Sequence, residues 1–306
     1  MGKLEKYKGI FPAFYACYED DGSVSPARTE AFVRYLRDKG VTGLYVGGSS
    51  GECIYQSVAE RKLILEHVMK AAEGKLVIIA HVACNNTQDS AELARHAQSL
   101  GVDAIAAIPP IYFHLPDYAI AEYWNTISAA APDTDFIIYN IPQLAGVALT
   151  VPLFQEMRKN PRVIGVKNSS MPVQDIQMFK AAGGEDCVVF NGPDEQFISG
   201  RVIGASAGIG GTYAVMPELF LAMDRLVCAG RLDEAKKIQY QANEIIYAMC
   251  ACKANLYAVM KEILRRNGMD IGGVRAPLTN VSEGDLEQIE KCRNMIAKAV
   301  AGLPQE

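Results

Sequence analysis

Three short apolar runs of this chain end in residue types capable of covalent or acid–base chemistry. The run Val163-Ile164-Gly165-Val166-Lys167 closes on a lysine, a residue depleted from strands and costly to bury as a cation. Strand alternation would place Val163, Gly165 and Lys167 on one face. If that face is buried, Gly165 leaves space beneath the amine, and desolvation lowers its pKa toward what a Schiff-base nucleophile needs near neutral pH. A lysine that marks the strand end and snorkels to solvent is the competing reading of this run alone. A second run ends Tyr139-Asn140-Ile141-Pro142. A phenol there can pass a proton to and from a substrate oxygen, or pack with its hydroxyl satisfied. The third ends Gly47-Gly48-Ser49-Ser50-Gly51-Glu52, where glycines let backbone approach a ligand and successive N–H groups with two hydroxyls make a nest for a carboxylate. It matches neither a dinucleotide fingerprint nor a P-loop, and an ordinary turn is its other reading.

The elements that must position these residues follow from the apolar pattern. Runs at 10–14, 44–48, 76–80, 104–108, 136–140, 163–167, 187–190 and 207–210 are near-continuously apolar, as strands buried on both faces are, and the helical stretches between them serve as parallel crossovers. Ser25 before Pro26 reads as an N-cap, Ser57 with Glu60 as a capping box, and Gly40 and Gly101 as C-terminal glycines. Such alternation predicts the α/β class and a (β/α)8 TIM barrel over residues 1–230, with active-site residues at the carboxyl ends of the strands. A doubly wound open sheet is the alternative. Beyond Thr212 the strands stop; 216–229, 231–252, 256–267 and 283–300 read as helices. Residues 231–306 are expected to form a C-terminal helical extension packed on the barrel.

Composition narrows the function classes. Half of the 306 residues are hydrophobic and 21% are charged, as in a globular protein with a large core. The formal net charge of -5 offers no Lys/Arg surplus for nucleic acid. The start MGKLEKYKGIFPAF has no apolar stretch of signal-peptide length, and no later stretch approaches a membrane span, so the cytosol is expected. The 8 cysteines include no C-x-x-C and the 4 histidines show no ligand spacing. Buried free thiols are therefore expected and a metal site is not.

The motifs G-G-S-S-G-E (47–52), A-H-V (80–82), P-P-I-Y (109–112), Y-N-I-P (139–142), G-V-K (165–167), N-G-P-D-E (191–195) and G-I-G-G-T-Y (208–213), in this order, resemble the N-acetylneuraminate lyase and dihydrodipicolinate synthase family of class I aldolases. The resemblance implies that Lys167 forms an imine with pyruvate, so that no separate cofactor is required, and that Tyr139 relays protons. It implies that Ser49 and Ser50 hold the pyruvate carboxylate and orient the tyrosine. Tyr112 matches a tyrosine contributed across a subunit interface, which implies a homo-oligomer, usually a tetramer built as a dimer of dimers.

Subfamily features point to a sugar acid. Dihydrodipicolinate synthases place an arginine five residues after the phenol to bind a second carboxylate, where this chain has Leu144. Ser169 and the segment Gly192-Pro193-Asp194-Glu195 are similar to those of the neuraminate lyases, whose carboxylates accept hydrogen bonds from sugar hydroxyls. Sialate lyases usually carry a serine where Gly211 stands. The resemblance thus implies cleavage of N-acetylneuraminate to N-acetylmannosamine and pyruvate. A pyruvate aldolase acting on a 2-keto-3-deoxy sugar acid or 4-hydroxy-2-oxo acid, a dihydrodipicolinate synthase-like enzyme and a sugar-acid sensor without turnover are the other readings.

Overall fold

Ser25 and Ser57 start two helices as their side-chain chemistry predicts. In the computed structural model, which describes residues 4–304, Ser25 accepts a hydrogen bond from the Arg28 N–H and Pro26 opens α1 (Pro26–Asp38). Ser57 and Glu60 exchange both bonds of a capping box at the start of α2 (Val58–Ala72). Asn86 caps α3 (Thr87–Ser99). Gly40 and Gly101 follow their helices at φ +83° and +76°, a conformation glycine adopts without steric cost. The first three and last two residues of the ranges 1–230 and 231–306 lie outside the described residues.

Each apolar run overlaps a strand, to within one or two residues at either end: β1 (Gly9–Pro12), β2 (Gly43–Val46), β3 (Val77–His81), β4 (Ala104–Ala107), β5 (Asp135–Asn140), β6 (Val163–Asn168), β7 (Val188–Asn191) and β8 (Ala207–Gly210). The order β1-β8-β7-β6-β5-β4-β3-β2 is parallel at every pairing. At the remaining seam, Thr42 N–H donates to Ile10 O (3.0 Å) and Phe14 N–H to Tyr45 O (2.9 Å). The sheet therefore closes as a (β/α)8 barrel. The crossovers continue with α4 (Asp117–Ala130), α5 (Pro142–Ala145), α6 (Val151–Met157), α7 (Gln174–Gly183), α8 (Phe197–Ile203) and α9 (Pro217–Cys228).

Inside the barrel the large Phe11, Tyr45 and Phe190 pack with the small Ala104, Ala106 and Ala207, so that the layers interdigitate. Tyr7 plugs the amino end, its hydroxyl donating to Asp103 O at 2.7 Å. The face expected from simple alternation in β6 needs correction. A register shift opposite Phe136 and Ile137 turns Ile164 into the barrel and Val163 out toward the helices, because a bulge adds one residue to the count. Nor does Gly165 leave space beneath the lysine. A Cβ there would lie 1.8 Å from Val188 O and 2.8 Å from Val188 Cγ2, so the missing side chain admits the neighbouring strand.

After the barrel come α10 (Leu232–Cys250), α11 (Leu256–Arg266) and α12 (Leu286–Ala301), within a few residues of the expected limits. The buried residues of α10 include Ala235, Ile238, Ala242, Ile245 and Met249, a helical stripe. All eight cysteines are free, but Cys228 and Cys250 are exposed rather than buried, since they end α9 and α10 on the solvent side.

Candidate active site

Tyr139 and Lys167 are register partners on adjacent strands, which brings phenol and amine side by side inside the carboxyl end of the barrel. The residue after each faces outward and fixes the loops. Asn140 Nδ2 donates to Asn168 Oδ1 (2.7 Å), and Asn140 Oδ1 accepts from Leu149 N–H (2.9 Å). Asn168 Nδ2 reaches Ser170 Oγ (2.9 Å), whose hydroxyl donates to Asp175 (2.6 Å). In the third register position Asn191 donates to Pro193 O (2.7 Å). The Asn140 and Asn168 amides are held within the fold by these bonds, which stiffens the ends of β5 and β6, while Asn191 is held through its Nδ2 alone.

Lys167 is 4% exposed. Its Nζ lies 3.9 Å from the centroid of the Tyr45 ring and 3.8 Å from that of Tyr139. Burial lowers its pKa to about 7, against the opposing attraction of Asp194 and, more weakly, Cys53. The snorkelling alternative is excluded, because the amine is inside. Burial pushes the Tyr139 phenol up to about 12, while side-chain hydrogen bonds with Ser49 and Ser169 pull it down. Those two serines thus meet at the phenol from the loops after β2 and β6.

Asp194 is also buried, and desolvation raises its carboxyl to about 7 against two hydrogen bonds from Thr212 and the pull of Lys167. Thr212 N–H and Oγ1 both donate to Asp194 Oδ2 at 2.6 Å. A Cβ on Gly210 would strike Asp194 Oδ1 at 2.2 Å, so that glycine admits the carboxylate. Gly192 does the same for Ser169, whose Oγ would lie 2.0 Å from its Cβ. Glu195 is exposed at the rim, and Asn243 Nδ2 donates to its backbone carbonyl at 2.9 Å. A Cβ on Gly211 would meet only Ser50 Oγ, at 3.4 Å; the 210–212 and 47–52 loops therefore adjoin.

The structure brings Lys167, Tyr139, Ser49, Ser50, Ser169, Gly192, Asp194 and Gly211 to this end of the barrel. Tyr112, on the loop after β4 at the same end, stands apart from them: it is 86% exposed, at φ +83°, with its ring 5.0 Å from that of exposed Phe113. Residue-by-residue reading missed four neighbours of the site. Tyr45 supplies a ring face to the lysine, and Gly48 leaves room for that ring, which a Cβ would approach to 2.7 Å. His81 bonds Gly47 O through Nδ1 (2.8 Å), and Nε2 accepts from Ile108 N–H (3.4 Å), which makes the proton on Nδ1 the consistent tautomer. Burial lowers its pKa to about 3, so it stays neutral. Thr212 and Tyr257, the latter hydrogen-bonded to Ser50, complete the set. His81 lies within A-H-V and Thr212 within G-I-G-G-T-Y, whereas Tyr45 and Tyr257 lie in none of the quoted motifs. Among the described residues no cluster of three or more His, Cys, Asp or Glu side chains is placed to hold a metal ion.

A parallel barrel that buries a lysine beside a phenol at the carboxyl ends of its strands is the architecture of a class I aldolase. The chain belongs to the dihydrodipicolinate synthetase family, whose profile matches residues 6–296. It is 66% identical over 300 residues to the N-acetylneuraminate lyase of Mediterraneibacter gnavus, covering 98% of this chain and 95% of that one. It is 34% identical to the N-acetylneuraminate lyase of Rhizobium meliloti, with 94% of each chain covered. Among solved structures, the catalytic lysine mutant of Ruminococcus gnavus sialic acid aldolase superposes with a TM-score of 0.98 at 64% identity, covering 99% of this chain and 100% of that one.

Proposed function

We propose that this chain is a lyase that cleaves N-acetylneuraminate to N-acetylmannosamine and pyruvate through a Schiff base on Lys167. One observation carries the assignment: a lysine enclosed between two aromatic rings with its pKa lowered to about 7 is half unprotonated at neutral pH and hence nucleophilic. The relatives support it, being N-acetylneuraminate lyases at 66% and 34% identity and a sialic acid aldolase that has a catalytic lysine.

In this scheme the free amine adds to the 2-oxo carbon of the open-chain sugar acid, and loss of water with uptake of one proton from solvent leaves a protonated imine. Ser49 and Ser50 hold the carboxylate. The hydroxyl two carbons from the imine carbon gives its proton to the Tyr139 oxygen as Tyr139 passes its own to Ser49, and Ser49 passes its own to the carboxylate that it holds. The carbon–carbon bond between that hydroxyl-bearing carbon and the one beside the imine breaks, and its electron pair enters the imine to form an enamine. The aldehyde product is N-acetylmannosamine. The same relay run backward returns that proton to the enamine carbon, and hydrolysis of the imine releases pyruvate, the free amine and the proton taken up at the start. The Schiff base supplies the electron sink, so the scheme calls on no metal or further cofactor.

Sugar hydroxyls have acceptors in Asp194, whose Oδ1 is left by Thr212, in Glu195 and in Ser169, with the Gly192 and Gly211 backbones beside them. Leu144 is 61% exposed and offers no charge to a second carboxylate, which argues against dihydrodipicolinate synthesis. A second reading, cleavage of a 2-keto-3-deoxy sugar acid, is favoured by Gly211, which has no hydroxyl for the distal half of sialic acid. Pyruvate release from both substrate types, with borohydride trapping on the Lys167 peptide, tests the assignment. Trapping without release from N-acetylneuraminate would select the second reading, and no trapping would refute both.

We further assign Tyr112 to a neighbouring subunit's site in a homotetramer built as a dimer of dimers; its exposure beside Phe113 supports a covered face. No helix among the described residues is long and apolar enough to cross a membrane, and we place the protein in the cytosol. Residues 1–230 are taken as the barrel and 231–306 as its helical extension.

A further inference from the structure

Helix α11 reaches both loops at the mouth of the site. Lys261 Nζ pairs with Glu52 Oε1 at 2.8 Å, the two side chains being 1% and 0% exposed. Glu52 ends the 47–52 loop at φ +55°, a left-handed conformation that costs energy in a residue with a side chain and persists only where its surroundings impose it. Its Oε2 accepts from Arg275 N–H at 2.9 Å, and Lys261 also donates to Gly273 O at 2.6 Å. One turn earlier on α11, Tyr257 is hydrogen-bonded to Ser50. Between them, Met260 Sδ lies 3.1 Å from the Tyr15 hydroxyl, which donates to Gly211 O at 2.5 Å. Residues 257, 260 and 261 share one face of the helix.

A buried ion pair stabilises a fold no more than well-packed apolar side chains would, but breaking it by removing one partner leaves an uncompensated charge that the surroundings must move to solvate. Here the group that would move is the end of the loop carrying Ser49 and Ser50. Neither Lys261 nor Glu52 takes part in the chemistry described above.

We propose that Lys261 is a positioning residue for the reaction: its ion pair with Glu52 holds the 47–52 loop so that the Ser49 and Ser50 hydroxyls are set to receive the substrate carboxylate. This rests on that loop being the carboxylate site. The test is steady-state condensation of pyruvate with N-acetylmannosamine by the full chain. Lys261→Met raises KM for pyruvate about tenfold or more and leaves kcat at saturating pyruvate within about threefold. The double variant Lys261→Met/Glu52→Gln holds no unpaired buried charge and keeps an acceptor for Arg275 N–H, so its KM returns to within about threefold of wild type.

Ser50→Ala is measured alongside. If it leaves KM for pyruvate unchanged, the loop does not bind the carboxylate and the positioning role falls with it. If Ser50→Ala raises KM while Lys261→Met lowers only the melting temperature, the loop reading stands and the role of Lys261 is overturned as merely structural. Failure of the double variant to recover KM overturns it as well. Should Lys261→Met not fold, Glu52→Gln decides: a rise in KM supports the role and an unchanged KM overturns it.

Discussion

The depressed pKa of Lys167 makes the pH dependence of imine formation a direct probe of the site. At the ordinary lysine value of 10.5 only about 1 amine in 3,000 is free at pH 7, whereas at about 7 half are. That difference of roughly 3.5 units corresponds to about 5 kcal/mol between protonation states. Desolvation drives it, and Asp194 opposes it. The rate of pyruvate-dependent borohydride trapping at Lys167, followed by mass on its peptide, should rise about tenfold per pH unit on the acid side, reach half-maximum near pH 7 and level off above about pH 8. Asp194 itself titrates near 7, so the midpoint belongs to the coupled pair. Asp194→Asn removes an anion that favours the ammonium and should move the midpoint to lower pH. A midpoint above pH 9, or a shift upward in Asp194→Asn, would refute the desolvated-lysine reasoning. The same shift is a stability statement. Because the folded pKa lies below the unfolded one, the unfolded chain binds the extra proton between about pH 7 and 10.5, and stability from this group rises across that window. Lys167→Met should therefore melt above wild type at pH 6 by a margin that narrows toward pH 10.

Tyr139→Phe retains the ring that packs on Lys167 and should keep the melting temperature while lowering kcat by about 10²-fold or more; unchanged turnover would remove the phenol from the mechanism. Light scattering should find an oligomer at assay concentrations, and Tyr112→Ala should lower activity in the assembled enzyme; a fully active monomer would contradict the shared site. Gly211→Ser has room, since its Cβ would meet only Ser50 Oγ at 3.4 Å, and should fold like wild type while lowering KM for N-acetylneuraminate; an unchanged KM with an intact fold would show that the distal half of the sugar does not reach this loop.

The barrel was legible in the sequence because parallel strands buried on both faces must be apolar along their length, and all eight runs overlap one. Helix starts were legible at Ser25 and Ser57, where the capping chemistry is local. What failed was non-local. Nothing within Val163–Lys167 signals the bulge, which is set by pairing with β5, so the face assigned to Val163 was wrong while that of Lys167 was right. Gly165 was assigned an empty space because the approach of Val188, 23 positions later, cannot be read from its own run. Tyr45 and His81 look like core residues in the sequence because they are core residues; only the lysine pointing at the same layer gives them chemistry.

The largest omission was α11, whose Lys261 lies 209 residues from Glu52 on a segment with no motif of its own. Its contacts change how the barrel's extension is understood. A (β/α)8 barrel places side chains for chemistry at strand ends, which the paired asparagines Asn140 and Asn168 hold rigidly, but the proposed carboxylate nest sits on a glycine-rich loop with little intrinsic stiffness. Rigidity for such a loop has to come from outside it. His81 ties Gly47 from the barrel side, and Tyr257 and Lys261 tie Ser50 and Glu52 from the helical side. Both ends of the nest are thus fixed by residues that the catalytic scheme does not consume, so substitutions there are expected to alter substrate capture before they alter the chemical step.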